Sequence, residues 1–284
     1  MKPTSKIARV FPTRTAATPN DELAFWDVPP MLALPEIDEV HISVSFSWDM
    51  ARAEWLAKQW EQVGVPVIIG GPTFNEPSSE FIPGKYLKDG YTITSRGCPN
   101  RCWFCSVWKR EPEMKELVIR DGWNLLDDNI LACSEKHLTE VFAMLKRQKH
   151  QAEFTGGLEA ALLTRRHVEM LKDLNPAQMF FAYDTPDDLE PLIAASALLD
   201  EAEFTRNKRR CYVLIGHPKD TMDDAERRLQ KAWSLGFLPF AMLWRNESGG
   251  RNQDWMKFQK LWARPAIIKS RMKKFQALER TTDL

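Results

Sequence analysis

The chain carries no apolar run that approaches the roughly 20 residues a membrane-spanning helix needs, which speaks against an integral membrane protein. It has no excess of either charge. Its 39 Lys and Arg balance its 39 Asp and Glu, so no global field pulls it toward nucleic acid or anionic lipid. The first residues, Met1-Lys2-Pro3-Thr4, lack the apolar core of a secretory signal. Cysteine is scarce, with five in 284 residues. The number is odd and three of the five share one short stretch, so no disulfide framework is expected and a reducing cytoplasm is the expected compartment.

The apolar content of 44% is ordinary for a globular protein. The length suits one large α/β domain, or a domain with a small appendage. Eleven tryptophans are many, and core or pocket-wall positions account for them without any special chemistry. Residues 1–36 are Pro- and Thr-bearing and read as an extended lead-in. Val40–Phe46 alternates as a half-buried strand does. Asp49 is placed to cap a helix running to about Val63, with Ala53, Leu56, Ala57 and Trp60 on one side. Gly64 stops that helix, and Val65–Ile69 is a second strand, which completes a small βαβ unit. A Pro/Ser/Gly-bearing linker follows over 76–90.

After the linker, strand and helix alternate. Strands are expected at Tyr91–Ser95, Asn129–Cys133, Gln151–Thr155, Ala177–Tyr183, Cys211–Ile215 and Leu238–Trp244. Ser134 and Thr164 are placed as helix N-caps, and a further helix starts at Met222. Such alternation implies a parallel sheet. The expected organisation is an N-terminal segment with its βαβ unit over 1–75, the linker, an α/β region over 91–246 and a helical extension over 247–284. In that extension Ser248–Arg251 reads as a flexible loop, Gln253–Trp262 as a helix, and Lys269–Lys274 as a basic stretch.

The most informative run is Ser95-Arg96-Gly97-Cys98-Pro99-Asn100-Arg101-Cys102-Trp103-Phe104-Cys105. A C-x3-C-x2-C spacing lets one loop offer three thiolates to a single metal centre, and such thiolates hold iron–sulfur clusters. Three ligands leave one iron of a 4Fe–4S cluster open to a small molecule. Zinc is the alternative. It ordinarily wants four ligands and paired C-x2-C knuckles, whereas this chain has one such pair, with His137 and His150 as distant fourth candidates.

The run resembles the cluster loop of the radical S-adenosylmethionine (radical SAM) enzymes. The resemblance implies Cys98, Cys102 and Cys105 as ligands of a 4Fe–4S cluster and Phe104 as an aromatic beside the adenine. It implies that the open iron chelates S-adenosylmethionine (SAM), whose reductive cleavage gives a 5′-deoxyadenosyl radical that abstracts hydrogen from a substrate. It also implies an electron donor such as flavodoxin or ferredoxin. Over Tyr91–Asn246 the six strand–helix units are similar to the partial (β/α)6 barrel of that family. The preceding βαβ unit resembles a shortened, Rossmann-like remnant of the cobalamin-binding domain of one branch. The cobalt-binding histidine loop is not recognisable, because His41 falls inside a strand, so cobalamin is not expected. No second cysteine cluster follows the barrel, which speaks against an auxiliary cluster.

In parallel βα folds ligands gather at the C-terminal ends of strands, and the remaining candidates stand at those ends. After the second strand stands Cys133-Ser134 in place of the family's Gly-Gly-Glu-like segment. Ser134 or backbone carbonyls would then hold the SAM amino group, and Cys133 is a candidate hydrogen-atom donor to a substrate radical. After the third stands Glu159, a contact to SAM or substrate or simply a helix-start carboxylate. After the fourth stands Asp184, whose two oxygens suit the ribose hydroxyls. The fifth runs into Leu214, Gly216 and Asp220, a loose match to the family's adenine-side stretch, with Tyr212 and Lys219 replacing glycines. After the sixth stands Arg245, a candidate for the SAM carboxylate or an anionic substrate. Cys211 reads as a small buried hydrophobe. The basic tail and a compact barrel suggest a nucleotide or nucleic-acid-linked substrate. Two other classes remain open: a non-catalytic iron–sulfur binding or sensing module, and a zinc-stabilised nucleic-acid-binding protein.

Overall fold

The computed structural model describes residues 5–74, 80–246, 249–250 and 252–282, and in the last helix it describes side chains as far as Phe275. Residues 76–79 of the expected linker and both ends of the Ser248–Arg251 loop lie outside the described residues. The chain divides into two compact units, residues 1–122 with 246–249 and residues 123–245 with 250–284.

The first unit contains a four-stranded sheet in the order β2-β1-β3-β4, built from β1 (Ile7–Val10), β2 (Ala24–Phe25), β3 (Glu39–Ser43) and β4 (Val67–Gly70). Every pairing is parallel. The β3–α1–β4 unit is the strand–helix–strand expected from the sequence, with α1 at Met50–Trp60. Val40, Ile42 and Val44 point one way from β3, while Ala53, Leu56, Ala57 and Trp60 repeat at helical spacing, and together they form the core of this unit. Asp49 sits at the N-cap of α1, but its side chain makes no capping hydrogen bond. Gly64 closes the helical segment in the left-handed region, at φ 83°.

The lead-in expected over 1–36 is corrected here, because it supplies two strands of this sheet. A charged residue hid the first strand. Arg9 is buried in β1, pairs with Asp21 and donates to the carbonyl oxygens of Gly84 (3.0 Å) and Lys85 (2.7 Å). The hydrogen-bonded guanidinium interrupts an apolar run that would otherwise read plainly.

The strand expected at Tyr91–Ser95 is two short pieces, β5 (Tyr91–Thr92) and β6 (Ser95–Arg96). After the cysteine loop come one turn of helix, α2 (Val107–Arg110), and β7 (Lys115–Glu116), which pairs antiparallel with β6.

The second unit contributes five parallel strands side by side in chain order: β8 (Asn124–Leu125), β9 (Glu153–Phe154), β10 (Gln178–Ala182), β11 (Arg209–Ile215) and β12 (Leu238–Leu243). Between successive strands lie α3 (Glu135–Lys146), α4 (Arg165–Leu174), α5 (Leu189–Glu201) and α6 (Met222–Ser234). Two helices follow the last strand, α7 (Gln253–Leu261) and α8 (Pro265–Thr282). This is the expected alternating α/β arrangement with a parallel sheet, and no closed barrel is found among the described residues.

The second strand is displaced from its expected place. Asn129–Cys133 is not a strand but holds a 3-10 turn at Ile130–Ala132, and the strand lies earlier, at Asn124–Leu125. Ile130 and Leu131 are both buried, and a short apolar run is ambiguous between a strand and a tight turn. Asn124 disguised the true strand. Its amide donates to Glu153 at 3.0 Å and its carbonyl accepts from Thr155, so a polar residue fills a buried strand position with its bonds made.

One face of the second sheet is packed: Met179, Phe181, Cys211, Val213 and Ile215 are essentially inaccessible. From the other face Phe180 stacks on Tyr212, with ring centroids 4.5 Å apart, and Tyr212 meets Phe240 edge-on at 6.0 Å. Among the described residues no helix is long and apolar enough to cross a membrane.

Candidate functional site

The cysteine loop belongs to the first unit. It begins where β6 ends, at Gly97. Gly97 is held at φ 93°, and a Cβ built on it would fall 2.1 Å from the carbonyl oxygen of Glu113. No other residue fits there, because the left-handed backbone and the close approach both require a missing side chain. The backbone N–H of Cys105 donates to the carbonyl of Cys102 at 3.1 Å. The Trp108 indole N–H donates to the same carbonyl, also at 3.1 Å. The N–H of Val107 points at the Cys105 sulfur at 3.4 Å. Cys98, Cys102 and Cys105 are all half-buried and none is in a disulfide. Phe104 is half-buried and meets the exposed Trp103 edge-on at 5.3 Å.

The donor set can be weighed on its own chemistry. Three reduced thiols on one loop, with an amide N–H aimed at one sulfur, match what an iron–sulfur cluster takes from a protein, where hydrogen bonds to sulfur help set the potential. In residue type and in spacing along the chain the three cysteines suit that group. Among the described residues no three His, Cys, Asp or Glu side chains are gathered as ligands of a single ion. One zinc ion would draw its ligands to about 2.0–2.3 Å from a common centre.

The other sequence candidates lie in the second unit, where the strand-end expectation can be followed residue by residue. Cys133 closes the 3-10 turn and is half-buried. Ser134 is the N-cap of α3, and its hydroxyl oxygen accepts the N–H of His137 at 3.2 Å. Thr164 likewise caps α4 and receives the N–H of His167, in a reciprocal capping box. Glu159 precedes another 3-10 turn and accepts a hydrogen bond from the Asn129 amide. Arg245 is half-buried just past β12.

Asp184, Leu214 and Gly216 are brought together by the pairing of β10 with β11. Asp184 Oδ1 accepts the Leu214 N–H at 2.7 Å. Burial pushes the Asp184 carboxyl up to about 7. The Leu214 hydrogen bond opposes that rise, the nearby Asp188 adds to it, and Arg228 works against it. Asp188 in turn accepts the N–H groups of Asp184 (2.9 Å) and Thr185 (2.7 Å), which fixes the turn that carries Asp184. Gly216 lies at φ 73°, and a Cβ there would fall 2.8 Å from Leu243 and 3.0 Å from the Trp255 ring. Cys211 is fully buried and burial raises its thiol pKa, so it is an inert core thiol.

The sequence marks Asp220 but not its partner Arg228. Asp220 is a buried carboxylate that accepts the Gly216 N–H at 2.8 Å and pairs with Arg228 at 3.0 Å, and Arg228 also donates to the Leu214 carbonyl at 2.9 Å. This pair braces the loop after β11 from inside. The sequence signal was an Asp and an Arg eight residues apart across a strand-to-helix turn, and only the fold gives that spacing meaning.

No family model matches the chain, and no curated protein matches it.

Proposed function

We propose that the protein is a radical SAM enzyme, with a 4Fe–4S cluster on Cys98, Cys102 and Cys105. The observation that carries this reading is the cysteine loop itself: three half-buried cysteines outside any disulfide, at C-x3-C-x2-C spacing, behind a glycine whose place admits no side chain. When bound, the cluster supplies one electron to SAM and yields a 5′-deoxyadenosyl radical that takes hydrogen from a substrate.

The chain's own residues have narrower tasks. Phe104 offers an aromatic edge beside the loop. Leu214 and Gly216 supply backbone and a smooth surface for an adenine. Asp184 keeps one carboxylate oxygen beyond the Leu214 bond for ribose hydroxyls. Arg245 is assigned to the methionyl carboxylate. Cys133, half-buried at the end of a turn, is assigned as a thiol able to return a hydrogen atom to a carbon radical. Cys133→Ala tests the last assignment: unchanged turnover with unchanged product removes it.

The function as a whole is tested by anaerobic reconstitution with iron and sulfide, followed by SAM and dithionite. Formation of 5′-deoxyadenosine is expected, and its loss in Cys98→Ala, Cys102→Ala and Cys105→Ala. A fully loaded cluster that forms none contradicts the reading.

A second reading is a non-catalytic iron–sulfur module. It is favoured by Ser134, whose hydroxyl is already engaged in capping α3. Under that reading the loaded protein shows no calorimetric affinity for SAM.

A further inference from the structure

The second unit holds a cavity of about 990 Å³ that follows α6, with Leu189 of α5 and Met272 and Phe275 of α8 among its walls. One end lies at Asp184 and His217. The other lies at Arg206, Lys231 and Trp233, toward the C-terminal end of α6. At about 1.5 Å per residue the helix separates the two ends by roughly 18 Å. The far end is therefore a place apart from the strand-end residues assigned above.

The charges along this cavity are unbalanced. Asp220 and Asp224 are paired with Arg228 and Arg227. Arg206 and Lys231 form no ion pair among the described residues. The Arg206 guanidinium carbon lies over the Trp233 ring, 3.7 Å from its centroid. Its Nη1 is buried and has no hydrogen-bond partner among the described residues. Arg209 stands near enough to act on it electrostatically, and the one carboxylate there, Asp200, is bonded to Arg209 at 2.6 Å. Burial and the neighbouring Arg209 both lower the Arg206 pKa. A guanidinium on the cavity wall, held by stacking and with a second cation beside it, is a preformed anion receptor. The volume lies at the upper end of what small-ligand sites take.

We propose that this end of the cavity binds a phosphate-bearing small molecule of nucleotide size, with its phosphate on Arg206 and Lys231 and its ring toward Phe275. The site requires neither the cluster nor SAM, so it stands or falls separately from the proposed function.

The test is titration calorimetry of the full chain with AMP, pyrophosphate and adenosine. AMP and pyrophosphate are expected to bind, with adenosine at least tenfold weaker. Arg206→Gln should weaken AMP by about tenfold or more, the usual loss for a hydrogen bond to a charged group. Lys231 is exposed, so Lys231→Gln leaves the fold intact and should weaken AMP several-fold. A variant lacking all three loop cysteines should bind AMP as the wild type does. The proposal is overturned if AMP fails to bind at millimolar concentration, if both Gln variants keep wild-type affinity, or if adenosine binds as well as AMP. It is also overturned if a single-stranded oligonucleotide binds more tightly than AMP and loses that affinity in the same variants.

Discussion

Asp184 Oδ1 accepts the backbone N–H of Leu214 at 2.7 Å, thirty residues along the chain and one strand across the sheet. This bond joins the two strand ends that the sequence had picked out separately. It also fixes the orientation of a carboxyl group that is otherwise expensive to keep charged.

The first prediction follows from that expense. The carboxyl is raised by burial from 3.8 to about 7 in the folded protein. Between those values the folded state holds a proton that the unfolded state has released. Stability is therefore greatest below about pH 4 as far as this group is concerned, and falls as pH rises to about 7. At about 1.4 kcal/mol per pKa unit the full effect is roughly 4 kcal/mol. Urea denaturation of wild type and Asp184→Asn from pH 4 to 8 checks it. The wild type should lose stability across that window relative to the variant, and parallel pH profiles would contradict the assignment.

The second concerns Asp220 and Arg228. The Asp220 carboxylate is fully inaccessible and Arg228 nearly so. Removing one member leaves a buried charge without its partner, at a cost of about 3–5 kcal/mol. Asp220→Ala should therefore lower the unfolding free energy, read from urea denaturation, by that amount. Asp224→Ala removes a carboxylate from a largely exposed pair and should cost far less, because solvent screens that charge. Equal losses in the two variants would mean that the loop after β11 does not depend on the buried pair.

The third separates two glycines with similar backbones. Gly64 (φ 83°) faces open space, whereas Gly97 (φ 93°) faces the Glu113 carbonyl oxygen at 2.1 Å from a built Cβ. Gly64→Ala carries only left-handed strain, of order 1–2 kcal/mol, and should retain iron normally after reconstitution. Gly97→Ala adds a backbone clash and should lose most of its iron while its circular dichroism stays close to wild type. Full iron retention in Gly97→Ala would show that the loop tolerates rearrangement.

These contrasts also indicate what could be read in the sequence. β3, α1, β11 and β12 were legible because each buries one face with its own period. The cysteine loop was legible because its chemistry is local: three thiols within eight residues carry their meaning in their spacing. β1 and β8 were not. Arg9 and Asn124 occupy buried positions only because Asp21, Gly84, Lys85, Glu153 and Thr155 arrive to bond them, and a reading of periodicity has no access to those partners. The Asp184–Leu214 bond depends on the register that sets Ala182 against Tyr212, and the Asp220–Arg228 pair on how α6 returns beside β11. Side chains that act through long-range register are invisible until the register is known.

The central claim is that three thiolates hold a cubane with one iron open to SAM. The most direct measurement is electron paramagnetic resonance of the anaerobically reconstituted, dithionite-reduced protein, with and without SAM, alongside metal analysis. The account predicts about four irons per chain, a reduced-cluster signal, and a change in that signal when SAM is added. Stoichiometric zinc without iron, or a reduced-cluster signal that SAM leaves unchanged, would contradict it.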